Sequence, residues 1–269
     1  MYKEVLFKNT PISYLEKGKG RPLVLLHGFL ESSEIWLDFI NELSLRYRVI
    51  AIDLLGHGQT GCLGYVHSME LMAESVKHVL RHLKLRKVLF VGHSMGGYVS
   101  MAFAEKYPDD VKGICLFHSS AAADNELKKK DRDRLIALVK FSKKDLIKGL
   151  IPNLFSKDNK KRYKKVIVSL EKSARKISKQ AIIAALEGMK ERREREIVLR
   201  FCSYPILFII GAKDPVFNLD AVMEQASLPR NSTAIILDNV GHMGFIEAKE
   251  ETIKAVSGFA KKVYLIKEN

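Results

Sequence analysis

Apolar residues follow two alternating periods along this chain. Short apolar runs stand near 5–8, 12–16, 22–26, 48–52, 87–91 and 111–117, and again at 204–211 and 233–238. The first two are amphipathic and the rest are apolar almost throughout. Between them, near 33–44, 68–83, 95–107 and from about 247 to 262, apolar residues recur every three or four positions. Runs of the first kind read as strands and spacings of the second kind as helices. Strand alternating with helix predicts an α/β fold, a mostly parallel doubly wound sheet covered on both faces.

That alternation stops after Phe117. Residues 124–200 show helical periodicity only. In "DLIKGLIPNLF" the residues Leu146, Ile147, Leu150, Ile151, Leu154 and Phe155 fall on one face, and "YKKVIVSL" and "SKQAIIAALEGM" behave similarly. The pattern predicts a core from 1–120 and 201–269, interrupted by an all-helical insertion over 121–200. Leu146, Leu150 and Leu154 recur every fourth position and are expected to form one apolar wall of a substrate pocket.

One stretch raises a chemical question. "VLFVGHSMGGYVSM" (88–101) puts a lone hydroxyl between glycines where a buried strand stops and a helix begins. Gly92-His93-Ser94-Met95-Gly96 fits G-x-S-x-G in that context, the pattern of a nucleophile elbow. A turn so tight strains its central residue, and neighbours with a Cβ would collide there. It lifts the Ser94 hydroxyl above the sheet edge at a helix N-terminus, where free N–H groups favour developing negative charge.

A serine hydroxyl is a weak nucleophile and needs a base, which needs an orienting acid. Asp214 in "GAKDPVF" and His242 in "NVGHMGFIE" each follow a strand, and carboxyl ends of parallel strands are where such sheets build their sites. Asp124, beyond the strand at 111–117, is a rival acid in a charged helix-start context. The N–H groups of Met95, after the nucleophile, and of Phe29 in "HGF" are candidate oxyanion donors. His27, His57 and His93 lie in or beside glycine turns and read as packing residues. Trp36 and Phe39 are expected to pack helix against sheet.

Together "HGF", "DLLGHGQT", "GHSMGG", "GAKDPV" and "VGHMGF" stand in the order and spacing of the α/β-hydrolase superfamily. The chain resembles its helix-capped, esterase-like members over essentially its full length. The resemblance implies a Ser94–His242–Asp214 triad, an oxyanion hole at Phe29 and Met95, a helical cap at about 121–200, and no metal or organic cofactor. A serine at 94 argues against members that use an aspartate nucleophile. The reaction implied is hydrolysis of a small ester or thioester. Two alternatives stay open: C–C bond hydrolysis or a lyase step on the same residues, and a ligand-sensing protein with little turnover.

Composition adds limits. No window is apolar enough to span a membrane, and the first twenty residues are charged throughout without a signal-like core, so a cytoplasmic protein is expected. Cys62, Cys115 and Cys202 form no metal-type pair and are expected as reduced thiols. Of the net charge of +14, nearly all lies in 124–200, where 24 Lys and Arg face 11 Asp and Glu. Solvated helix surface is the first reading, and an acidic acyl carrier or lipid surface the second. Nucleic acid is not expected, because aromatic residues rarely interleave the charges.

Overall fold

The computed structural model describes residues 1–265. Eight strands form one sheet: β1 (Tyr2–Phe7), β2 (Thr10–Lys17), β3 (Pro22–Leu26), β4 (Arg48–Ile52), β5 (Val88–His93), β6 (Val111–Phe117), β7 (Ile206–Gly211) and β8 (Ser232–Leu237). Their order is β1-β2-β4-β3-β5-β6-β7-β8. β2 pairs antiparallel with β1 and with β4, and all other pairs are parallel. β5 and β7 are buried at every residue, which is why their sequences run apolar without alternation.

The helices are α1 (Leu37–Leu43), α2 (Met69–His82), α3 (Met95–Lys106), α4 (Glu126–Leu150), α5 (Lys164–Ala174), α6 (Lys179–Lys190), α7 (Glu196–Phe201), α8 (Leu219–Ala226), α9 (Gly244–Glu247) and α10 (Lys249–Leu265). α8 is absent from the periodicity reading, although Asn218 caps it by accepting from the Ala221 N–H at 3.0 Å. The helix expected over 33–44 begins as a 3-10 turn, Ser33–Trp36, before α1. Trp36 is fully buried against Phe39, Phe117 and Phe245, at ring separations of 5.1 to 5.9 Å.

The chain moves from β3 outward to β4 and then returns to the other side of β3 for β5. This reversal makes the carboxyl ends of β3 and β5 a topological switch point, the place where open α/β sheets bind ligands. The loops at His27-Gly28-Phe29 and at Ser94 flank it.

Between β6 and β7 every α-helix from α4 to α7 lies outside the sheet. The two ends of this insertion are tied together, because the Arg195 N–H donates to the Ala121 carbonyl at 2.8 Å. The buried Arg195 side chain also holds Glu70 and, at 2.9 Å, Glu105. Arg192 is buried too, 2.7 Å from Asp124. These two arginines depart from the solvated surface expected for the insertion's charges, because each has a carboxylate within the fold.

The single apolar wall expected from Leu146, Leu150 and Leu154 does not form as one helix face. α4 breaks at Ser142 (φ −146°, ψ 96°), whose hydroxyl caps the restart by accepting from the Asp145 N–H at 3.3 Å. It ends at Leu150, and Ile151–Leu154 is a 3-10 turn containing Pro152, which cannot supply the next helical N–H. Leu146 belongs to the main core, and Leu150 and Leu154 pack against it half-buried. Leu150→Ala is therefore expected to lower stability by about 2 kcal/mol and to lower hydrolysis of short and long esters alike. Thermal melts and a chain-length series check this; a shift toward longer chains would show instead that Leu150 lines the acyl site.

Candidate active site

Ser94 joins β5 to α3 with φ 49° and ψ −115°, a left-handed backbone for a residue with a Cβ. The turn exists because its neighbours are bare. A Cβ on Gly92 would stand 2.5 Å from the Gly96 carbonyl group, and one on Gly96 would stand 2.3 Å from the Leu26 carbonyl oxygen. The main chain is fixed on both sides: the Ser94 N–H donates to Phe117 O at 3.0 Å, and the Ser119 hydroxyl donates to Ser94 O at 2.8 Å. The Ser94 side chain makes no capping bond to its own helix, so the hydroxyl is not spent on α3. Met95 is the first residue of α3, and its N–H precedes the first intrahelical acceptor.

Asp214 and His242 meet. His242 Nδ1–H donates to Asp214 Oδ2 at 2.8 Å, while Asp214 Oδ1 accepts from the N–H groups of Val216 at 2.8 Å and Phe217 at 3.3 Å. Burial works to raise the Asp214 carboxyl, but His242 and His118 outweigh it and hold the group well below the usual carboxylate range. The rival Asp124 is buried elsewhere, 3.0 Å from Arg132 and 2.7 Å from Arg192. The His242 loop touches the elbow through His93, whose Nε2–H donates to His242 O at 2.9 Å.

His27 and His57 are buried in the packing beside the site, whereas His93, read in the same way from the sequence, is bonded through both ring nitrogens, to Glu31 and to the His242 main chain. His27 donates to Gly28 O at 2.8 Å and accepts from the Leu54 N–H at 2.9 Å, which fixes a neutral tautomer. Burial, with His27 nearby, pushes His57 down to about 3.

Three further residues beside the candidate site were not singled out in the sequence. His118, directly after β6 with φ 46°, lies 3.3 Å from Asp214 Oδ2 and is pushed down to about 4, chiefly by burial. The strand-end rule that found Asp214 would have flagged it. Glu31 is a buried carboxylate whose Oε2 accepts the Gly28 N–H at 2.6 Å. Glu247 organises the His242 loop: one carboxylate oxygen accepts from the N–H groups of Gly241 at 3.0 Å and Met243 at 3.3 Å. Its other oxygen accepts from the Ser156 N–H at 3.0 Å and Asn159 Nδ2 at 2.8 Å, and so binds that loop to the insertion. The His242 N–H adds a bond to Leu154 O at 2.7 Å. Glu247→Gln turns an amide NH2 toward backbone donors. It is expected to lose roughly 2–3 kcal/mol of stability and to slow esterase turnover about tenfold, read by thermal melting and ester assay.

His118, Asp214 and His242 bring ligand-type atoms within 4.8 Å of one another. Those atoms already make hydrogen bonds: His118 Nδ1 accepts from the Gly211 N–H at 3.2 Å, and Asp214 Oδ2 takes the His242 proton. Cys62, Cys115 and Cys202 are free thiols.

Known proteins share this architecture. An AB hydrolase superfamily protein of Bacillus subtilis, YisY, is 27% identical over 252 residues, spanning 90% of this chain and 92% of that protein. An (E)-2-((N-methylformamido)methylene)succinate hydrolase of Acinetobacter baylyi is 25% identical, spanning 94% of this chain and 95% of its own. The solved structure of a thermophilic esterase from Thermogutta terrifontis, with malate bound, superposes with a TM-score of 0.92 at 27% identity, covering 98% of this chain and 99% of that one. The model of the alpha/beta hydrolase fold family matches residues 21–162, more than half of the sequence. With the eight-stranded sheet, the strained turn at Ser94 and the Asp214–His242 bond in place, this chain belongs to the alpha/beta hydrolase fold family.

Proposed function

We propose that the protein is a serine hydrolase that cleaves a small ester or thioester through an acyl-enzyme on Ser94. The observation that carries this reading is the 2.8 Å bond from His242 Nδ1 to Asp214, which leaves Nε2 as the base, on a loop that His93 ties to the elbow. His242 accepts the Ser94 proton as the hydroxyl oxygen attacks the carbonyl. Asp214 fixes the tautomer and stabilises the imidazolium that forms. The N–H groups of Phe29 and Met95 receive the negative charge on the carbonyl oxygen. The bond to the leaving alcohol or thiol breaks as His242 returns the proton, and water repeats the cycle on the acyl-enzyme. Residues 121–200 act as a cap over this site.

A panel of p-nitrophenyl esters of graded chain length, with fluorophosphonate labelling, tests the reading. Turnover and a covalent adduct on Ser94 are expected. Absence of both overturns it, and labelling without turnover favours a ligand sensor.

A second reading, hydrolysis of a substrate that carries a carboxylate, including C–C cleavage of a diketone-like acid, has one observation in its favour. Lys128, Arg132 and Arg192 surround a single carboxylate, Asp124. Lys128 Nζ lies 5.0 Å from the Phe217 ring, which itself lies 5.7 Å from the His242 ring. The Acinetobacter relative is named for a succinate-type compound. This reading expects kcat/KM for a carboxylate-bearing ester to exceed that for its neutral match several-fold at low salt. The advantage should fall as salt rises, since exposed fields decay over about 8 Å at physiological ionic strength. The ester reading expects a ratio indifferent to salt.

A further inference from the structure

His93, the residue before Ser94, is buried, and both of its ring nitrogens face acceptors. Nε2 lies 2.9 Å from the His242 carbonyl oxygen, which only accepts, so Nε2 carries a proton. Nδ1 lies 2.9 Å from Glu31 Oε2. That same oxygen accepts the Gly28 N–H at 2.6 Å. A neutral Glu31 would have to donate to Nδ1 from an oxygen already taking a short bond, and a carboxyl hydroxyl oxygen is a poor acceptor. An ionised Glu31 and a doubly protonated His93 satisfy every contact.

The surroundings agree. Burial, the largest influence on each group, opposes both charges, yet Glu31 is held below its ordinary range and His93 above its own, each by the other. The remaining titratable groups facing His93 are His27, His118, Asp214 and His242, and of these Asp214 also favours the cation. Local geometry is shaped around the pair. Leu30, at φ 63°, turns the chain so that Glu31 reaches back under its own loop. A Cβ on Gly28 would stand 2.8 Å from both Glu31 Oε2 and His93 Nδ1, so glycine at 28 makes room for the pair.

We propose that Glu31 and His93 form a buried carboxylate–imidazolium pair that sets the separation of three parts of the active site: the Gly28–Phe29 loop, the Ser94 elbow and the His242 main chain. The function of this pair rests on the reading of Ser94 as the nucleophile. Glu31 grips the loop that offers the Phe29 N–H. His93 is covalently next to Ser94 and holds the backbone of the base. Neither touches the reacting atoms, so both are positioning residues. Loss of the carboxylate charge leaves a neutral imidazole, which donates from one nitrogen only. One of the two tethers is then lost, and the oxyanion donors and the base drift relative to Ser94.

Two measurements on the full chain test this. In nitrogen-15 NMR of histidine-labelled protein, His93, assigned by loss of its signals in His93→Gln, should show two protonated ring nitrogens even near pH 8. An ordinary imidazole, with a pKa of about 6.5, is neutral there. In Glu31→Gln, kcat for p-nitrophenyl acetate should fall on the order of 10- to 100-fold with KM nearly unchanged, the loss expected of misplacement by about an ångström. Fluorophosphonate should still label Ser94, at a rate reduced in parallel. A bare ring nitrogen on His93 at that pH overturns the pair whether or not the variant folds. A lowered melting temperature with kcat unchanged makes the pair merely structural and overturns its positioning role. Failure of the wild-type protein to label at Ser94 sinks the catalytic reading instead, and leaves the NMR result to stand by itself.

Discussion

Ser94→Ala is expected to remove esterase turnover, lowering kcat by three or more decades, while the protein still melts within a few degrees of wild type. The two halves of this expectation have separate physical grounds. The hydroxyl is the proposed attacking group, and without it only the oxyanion donors and binding remain to accelerate the reaction. The fold loses little, because the side chain makes no capping bond on α3 and the fixing contacts at 94 belong to the main chain. Alanine also bears a Cβ, so the left-handed turn is no more strained than before. Fluorophosphonate labelling should vanish together with activity. Nearby hydroxyls give a stringent control: Ser119 donates to Ser94 O at 2.8 Å and Ser120 lies 3.1 Å from Gln225. A label that persisted on either would move the nucleophile off the elbow and refute the assignment.

Much of this site was legible in the sequence because its parts are local. The elbow is a run of five residues whose glycines answer to contacts within a few positions or with the neighbouring strand. Asp214 and His242 sit where a strand ends, and strand ends were visible as apolar runs. What was illegible depends on partners far away in the chain. Glu31 owes its place to His93, 62 residues on, and nothing in "HGFLESS" marks a buried carboxylate. Glu247 lies in a segment whose periodicity reads as helix, and its role arises only when the insertion's residues 156–159 fold against it. Gly28 is of the same kind: the atoms that a Cβ there would meet are those of Glu31 and His93, which only the fold brings beside it.

The insertion was legible as helix but not in detail. Periodicity continues through Pro152, because apolar spacing alone does not register a missing N–H. The backbone turns from α-helix to 3-10 at that point and redirects Leu154, whose carbonyl ends up holding His242. Arg192 and Arg195 read as part of a charge run, yet both are buried on carboxylates that the sequence places before the insertion or at its start. Net charge describes a segment's composition and leaves open which of its charges face water.

The second large effect separates two aspartates. Asp214→Asn keeps the shape of the side chain, and the surrounding donors dictate how the amide sits. Oδ1 accepts from the N–H groups of Val216 and Phe217, so the amide oxygen must stay there and the NH2 must take the place of Oδ2. That NH2 then points at His242 Nδ1, which has to become an acceptor, and the ring proton moves to Nε2. A base already protonated on the nitrogen facing Ser94 takes no proton from it. The expected loss in kcat is on the order of 10⁴, with modest change in KM. Asp124→Asn acts differently. It leaves Arg132 and the buried Arg192 without their countercharge, and breaking a buried pair costs about 3 kcal/mol or more. Its melting temperature should fall, while kcat per folded molecule stays within a few-fold of wild type, because no atom of Asp124 contacts His242. Ester turnover and thermal melts on both variants decide between the two acids. If Asp124→Asn were the inactive protein and Asp214→Asn the active one, the orienting acid would lie after β6, and the 2.8 Å bond between Asp214 and His242 would have no part in the chemistry.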